Sequence, residues 1–296
     1  MRSTLLWLAI VLSGCAGGGR PAGDRARSGA SGNNLENIRR AGVVRIAYSN
    51  EVPYAYYDKT TGKVTGAAPE VARYVLQQMG VRRIEGVLTD FGSMIPGLMA
   101  NRFDIIAAGM YITPARCRQI AFSEPISCMG QAFLVKAGNP LGLHGYGDAS
   151  KNSAARLGVV AGGVEIQYAR LAGVPAERTT VFPDPPSALA GLQAGRIDAL
   201  GGPLPSLQHL LNQASDRGIE RADPFREPVI NGKAAKLCDA IGFRNEDTAL
   251  LEEFNRHLKK FIGSKQHLEI IRPFGFQKSD VPEGVTAERL CSPWSP

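Results

Sequence analysis

The sharpest chemical signal in the 296-residue sequence is Gly109-Met110-Tyr111-Ile112-Thr113-Pro114-Ala115-Arg116. A β-rich run ends at Gly109, and Thr113-Pro114 opens a helix, with Thr as N-cap and Pro in the first turn. Free N–H groups at a helix start attract anions. Arg116 adds a planar fork matched to a carboxylate. A charge-assisted hydrogen bond of this kind contributes about 1.5–3 kcal/mol. A cation in a first helical turn sits at the wrong end of the helix dipole. That placement points to a ligand rather than to stability, against the plainer reading of a surface Arg. The corner reads as the anion anchor of a pocket.

Other chemistry is sparse. There is no G-x-S-x-G, Walker A, H-E-x-x-H or G-x-G-x-x-G motif, so no catalytic residue and no cofactor is expected. The four His are scattered and no Cys pair has ligand spacing, so no metal is expected either. The net charge of +7 is spread along the chain, much of it at Arg20, Arg25, Arg27, Lys259, Lys260 and Lys265. No basic stripe with interleaved aromatics offers a nucleic-acid surface.

The elements that must position the corner begin after a leader. Arg2, the apolar run Leu5–Leu12 and the small residues Ser13-Gly14 before Cys15 have the form of an export signal. Small residues leading into a cysteine resemble the lipobox of bacterial lipoproteins, which implies cleavage before Cys15 and acylation of its thiol. Residues 1–14 then form the signal peptide and 15–34 a lipidated tether. The tether is rich in Gly, Ala, Ser, Arg and Pro and lacks the apolar surface needed to order itself. About 260 residues remain, enough for two lobes.

With Cys15 acylated, four of the five cysteines are left: Cys117, Cys128, Cys238 and Cys291. An even set in an exported chain favours disulfides. Of three possible pairings, Cys117–Cys128 and Cys238–Cys291 are expected, the first closing a short loop and the second pinning the tail.

Along the body, short apolar strands alternate with amphipathic helices. Strands are expected at Val43–Ser49, Ile84–Thr89, Asp104–Gly109 and Gln131–Lys136, with helices near Ala68–Met79 and Met94–Met99. Turn residues from Asn139-Pro140 to Gly147 mark a boundary. A second alternation follows, with strands at Arg156–Ala161, Thr179–Pro183 and Asp198–Gly202, and helices at Glu165–Ala172 and Ser187–Ala194. A strand at Ala240–Arg244 and a long helix near Leu250–Ile262 close the pattern, that of an α/β protein.

The strand-turn-helix with T-P-x-R, followed by Phe122-Ser123-Glu124-Pro125, resembles the family 3 solute-binding proteins of polar amino-acid ABC importers. So do Gly66-Ala67-Ala68-Pro69-Glu70-Val71-Ala72, Phe91-Gly92-Ser93-Met94-Ile95-Pro96-Gly97-Leu98 with Phe103-Asp104, and Leu192-Gln193-Ala194-Gly195-Arg196-Ile197-Asp198-Ala199. The motifs run in family order from about Leu35 to the C-terminus. The resemblance implies a two-lobed, periplasmic-binding-protein-like α/β fold (type II) with the ligand cleft between the lobes. The first lobe is expected over 35–137 and 238–296, the latter including a C-terminal tail, and the second over 138–237. Arg116, helped by Thr113, is the implied carboxylate clamp. Implied partners are a small zwitterionic ligand and the transmembrane subunits of an ABC permease, with the binding protein itself a monomer at the membrane.

Two departures narrow the ligand. Where α-amino-acid binders of the family carry Gly-Thr, this chain has Gly162-Gly163-Val164. Where they carry an Asp for the α-ammonium, it has Pro203. A primary ammonium buried without a carboxylate is costly. What replaces that Asp is aromatic: Tyr54, Phe91 and Tyr111 fall at strand ends that face the cleft in this fold. Ring faces hold a delocalised, weakly hydrated cation, and Glu51 stands by to meet its N–H groups. Phe91 reads equally well as a core residue.

The segments Ser49-Asn50-Glu51-Val52-Pro53-Tyr54, Ala107–Tyr111, Arg116-Cys117, Arg272–Phe276 and Leu290-Cys291 resemble the ectoine/5-hydroxyectoine-binding subunits of osmolyte importers. That resemblance implies ectoine or hydroxyectoine as ligand. It places the clamp at Arg116, the cage at Tyr54, Phe91 and Tyr111, and the carboxylate at Glu51, with a looser second-lobe match at Gly162-Gly163-Val164-Glu165. Two alternatives stay open. One is a polar amino-acid binder. The other is a cyclohexadienyl dehydratase on the same fold, with Glu165 or Glu51 as general acid.

Overall fold

The structure is a computed structural model that describes residues 34–214, 218–230, 233–234 and 237–292. Cys15, with the signal and all of the expected tether except Asn34, lies outside the described residues. No described helix is long and apolar enough to cross a membrane.

Two sheets organise the chain. The first contains β1 (Val43–Tyr48), β4 (Arg83–Leu88), β5 (Ile105–Tyr111), β6 (Ala121–Phe122), β7 (Ser127–Met129) and β15 (Leu237–Phe243). Its order is β4-β1-β5-β15-β6, with β7 also on β15. β1 runs parallel to β4 and β5, while β15 is antiparallel to β5. The central strands β5 and β15 are buried along their whole length, as strands covered on both faces must be. The helices α1 (Asn34–Ala41), α2 (Ala67–Gln78) and α3 (Met94–Met99) belong to this lobe. So do α9 (Thr248–Phe261), α10 (Lys265–Ile271) and α11 (Ala287–Cys291). α9 buries Leu250, Phe254, Leu258 and Phe261, a stripe at i, i+4, i+8 and i+11.

The second sheet contains β8 (Gln131–Lys136), β9 (Leu157–Val160), β10 (Thr179–Phe182), β11 (Ala199–Pro203) and β12 (Ile219–Arg221), in the order β10-β9-β11-β8-β12. α5 (Tyr146–Lys151), α6 (Glu165–Leu171), α7 (Pro185–Gln193) and α8 (Leu204–Gln213) accompany it. Its two faces carry separate apolar cores. Two small hairpins complete the strands, β2 (Tyr56–Asp58) with β3 (Lys63–Thr65), and β13 (Val229–Ile230) with β14 (Lys233–Ala234). The expected two-lobed architecture is present.

Strand membership moves one boundary. The sequence placed residues up to 137 in the first lobe, but β8 hydrogen-bonds to β11 and β12 of the second sheet. The chain therefore crosses between lobes at Gly130, between β7 and β8, and returns before β15.

The disulfides correct the expected pairing. The bonds are Cys117–Cys291 and Cys128–Cys238. Cys128 on β7 stands directly opposite Cys238 on β15 in the antiparallel register. Cys117 ends the short helix α4 (Pro114–Cys117), and Cys291 ends α11, which packs on it. Sequence proximity of Cys117 and Cys128 does not decide the matter, because they end up on different elements. The tail is still pinned, at α4 rather than at β15.

Candidate ligand-binding site

The T-P-x-R corner folds as its residues dictate. Thr113 is extended and its hydroxyl accepts the Arg116 N–H at 3.3 Å, with Pro114 starting α4. That helix is only four residues long, so the expected anion site at its N-terminus is not built. Thr113 is buried as the cap and is not among the residues that line the cavity. Arg116 does line it. Its side chain is 8% exposed, and its Nη1 donates to the Tyr111 carbonyl at 2.6 Å. Its Nη2 donates to the Gly162 carbonyl at 2.9 Å, joining the two lobes. The guanidinium lies over the Phe91 ring, 5.5 Å from its centroid. Burial pulls the Arg116 pKa down to about 10, against the upward pull of nearby Glu165, so the group is a cation at neutral pH.

The aromatic residues converge with it. The Tyr54 and Tyr111 hydroxyls share a hydrogen bond at 3.0 Å, and their rings stand nearly perpendicular, at 85° with centroids 6.4 Å apart. Burial drives both hydroxyls well above the usual tyrosine range, so both stay neutral. Tyr54 lies flat on the β5 backbone because Gly109 has no side chain; a Cβ there would sit 2.3 Å from Tyr54 Cδ1. Gly109 also has φ +68°, a conformation that favours glycine. Phe276 supports the far side of the Tyr54 ring at 5.6 Å. Phe91 both lines the cavity and packs on the first-lobe core.

Glu51 completes the first-lobe side. The Ser206 hydroxyl, on α8 of the second lobe, donates to Glu51 Oε1 at 2.5 Å. Desolvation raises the Glu51 carboxyl to about 7; the Ser206 hydrogen bond opposes this and Glu165 adds to it. The second-lobe wall brings in Gly163, Val164, Glu165 and Pro203. Gly162 approaches so closely that a Cβ there would lie 2.5 Å from Gly92 Cα. The space between these walls is about 550 Å³, counting the solvent open at its mouth.

Of the eight expected ligand contacts, seven line this cavity: Glu51, Tyr54, Phe91, Tyr111, Arg116, Gly163 and Val164. Ser206 also lines the cavity, which the sequence did not signal, and Glu165 stood only in the looser second-lobe match and as a general acid of the enzyme alternative. Ser206 follows Leu204-Pro205 in the first turn of α8, three residues after the vacant Asp position at Pro203. Glu165 is 4% exposed, its carboxyl pushed up by burial and held down by Arg116. A further buried carboxyl, Asp239, faces Tyr111 across β5 and β15. It accepts the Ser127 hydroxyl and is raised to about 7 by desolvation.

Comparison with known proteins agrees with this geometry. Residues 44–286 match the bacterial extracellular solute-binding proteins, family 3. A probable amino-acid ABC transporter periplasmic-binding protein of Sinorhizobium fredii is 35% identical over 263 residues, covering 87% of this chain and 86% of its own. A crystal structure of EhuB in complex with hydroxyectoine aligns with TM-score 0.80 and 40% identity, over 88% of this chain and 98% of its own. An ancestral amino acid-binding protein described as a precursor of cyclohexadienyl dehydratase aligns with TM-score 0.68 at 23% identity, over 82% of this chain and 99% of its own. At that identity it shows the fold alone.

Proposed function

The chain belongs to the bacterial extracellular solute-binding proteins, family 3, and from that premise we propose that it captures ectoine or 5-hydroxyectoine for an ABC importer. Its place as an exported, ABC-type solute-binding protein follows from the family and the relatives. The observation that carries the ligand reading is the pairing of Arg116 with three aromatic rings and the half-buried Glu51 carboxyl in one cavity. A guanidinium suits a carboxylate. Ring faces suit a cation whose charge is spread over a ring, at roughly 0.5–2 kcal/mol per contact when desolvated. Glu51 can take the N–H groups of that cation. Pro203 and Val164, where α-amino-acid binders of this family place Asp and Thr, add no polar side chain to the cavity wall. The EhuB similarity points to the same ligand.

The rest of the reading concerns place. Cleavage before Cys15 and acylation of its thiol would tether a monomeric body to the membrane beside the permease subunits. Mass spectrometry of the mature N-terminus tests this directly. A diacyl mass on Cys15 is expected, and a free N-terminus elsewhere would remove the anchor.

The ligand is tested by thermal shift and calorimetry with ectoine, hydroxyectoine, glycine betaine and polar amino acids. A ligand at a hundredfold excess over its Kd adds about 2.7 kcal/mol of stability. Stabilisation by arginine or glutamine with none by ectoine would overturn the proposal. Release of phenylpyruvate from prephenate would instead establish an enzyme.

A further inference from the structure

The last stretch of the chain returns to the ligand site from behind, on the first lobe. Phe276 is buried and supports the Tyr54 ring. Cys291 is bonded to Cys117, the residue that follows Arg116. The strap between them, residues 277–290, therefore begins behind a ring of the cage and ends behind the carboxylate clamp. None of its residues is buried.

The non-covalent hold on this strap is light. Val281, Ala287 and Leu290 are half-buried against the first-lobe core, and the Ala287 N–H donates to Glu124 Oε2 at 3.1 Å. α11 is five residues long and buries none of them. A helix that short has no stability of its own, and a segment with few buried contacts opens at small free-energy cost. The bond to Cys117 is what returns α11 to α4. The same weakness marks α4, which is four residues long with Arg116 as its one buried side chain. Its single turn is closed by the Thr113 cap and by the Cys117 N–H, which donates to the Thr113 carbonyl at 2.9 Å. Of the two carbonyls that hold the guanidinium, Gly162 belongs to the other lobe, so within its own lobe Arg116 is held by Tyr111 and by the backbone of α4.

We propose that the C-terminal strap positions the ligand clamp: the Cys117–Cys291 bond holds α4, and through it the Arg116 guanidinium, at the cavity wall. This rests on the reading of Arg116 as the carboxylate clamp. Cys117 and Cys291 do not themselves line the cavity; they are positioning residues that act through Arg116. A planar fork that meets a carboxylate in two parallel hydrogen bonds tolerates little displacement, and such groups keep their geometry only when the residues behind them are fixed. Cutting the bond frees α11 and leaves the last turn before Arg118 without its tie. The buried cores of both lobes and the Cys128–Cys238 bond remain, so the loss falls on binding rather than on the fold.

The test joins calorimetry with ectoine and 5-hydroxyectoine to amide hydrogen exchange, on the unaltered protein and on Cys291→Ser, a change 175 positions from Arg116 in sequence. The variant is expected to bind at least fivefold more weakly and to exchange faster over residues 113–120. Cys117→Ser with Cys291→Ser leaves no free thiol at the site and carries the test if the single variant mispairs. In a background of Arg116→Lys, Cys291→Ser should cost less affinity than it does alone, because both losses pass through one guanidinium. Unchanged affinity, or losses that simply add, would overturn the proposal and leave the bond as an anchor of the tail. So would a variant that fails to fold by circular dichroism, since the bond would then hold the whole lobe. The ligand reading would survive each of these results, because the unaltered protein would still bind. Binding of neither compound by the unaltered protein would remove the ligand reading; exchange over residues 113–120 would then decide alone whether the strap holds α4, and an unchanged rate would overturn it.

Discussion

Replacing Glu51 with Gln should stabilise the empty protein at alkaline pH while weakening its hold on the ligand. The Glu51 carboxyl is raised from 4.5 to about 7 by burial. The folded state therefore binds a proton between those values that the unfolded chain does not. By linkage, the stability this group contributes is fully present below about 4.5 and is lost as pH rises through 7. At about 1.4 kcal/mol per pH unit, the loss is about 3 kcal/mol by pH 8. Gln keeps the acceptor for the Ser206 hydroxyl but carries no charge to desolvate, so it escapes that loss. Guanidinium chloride denaturation at pH 5 and pH 8 measures it. The variant should gain about 2.5 kcal/mol on the unaltered protein between the two, part of the loss having already occurred at pH 5. Asp239 is raised for the same reason and contributes a slope of the same sign. It persists in both proteins, so their difference isolates Glu51. Binding should move the other way. A cationic ring needs Glu51 ionised, so affinity in the unaltered protein should fall as pH drops below about 7. In the variant, affinity should be lower and this pH dependence lost. A variant no more stable at pH 8, with the pH slope of binding intact, would refute the placement of Glu51 as the buried titrating group.

Further outcomes follow from single contacts. Arg116→Lys should cost at least tenfold in ligand affinity by calorimetry, because an ammonium cannot bridge the Tyr111 and Gly162 carbonyls and also present a fork to a carboxylate. Gly162→Ala should weaken binding while leaving the fold intact, since its Cβ would sit 2.5 Å from Gly92 Cα and hold the lobes apart; small-angle scattering with ligand should show a more open form. Replacing Cys128 and Cys238 together by Ser should lower unfolding free energy by up to about 5 kcal/mol in denaturant, from the 110-residue separation that the bond closes.

The sequence by itself determined the local structure and the cast of the site. Val43–Tyr48, Ile105–Tyr111 and the α2 and α9 stripes were legible because apolar periodicity is a local property. The T-P start of α4 was legible because capping is decided within four residues. Arg116 and the three aromatics stood out by type and by their place at element ends, and the fold brings them together. What lay beyond reach were relations between distant segments. Cysteine pairing depends on the register that sets Cys128 opposite Cys238 and on the docking of α11 against α4. The lobe boundary depends on which sheet β8 joins, and a run of apolar residues reads the same in either. Ser206 meets Glu51 only because α8 leans across the cleft, 155 residues away in sequence. Thr113 serves as the cap of α4, while Arg116, three residues on, lines the cavity. Each of these is fixed by hydrogen bonds or close packing between elements far apart in the chain, and no local pattern of residues encodes the partner.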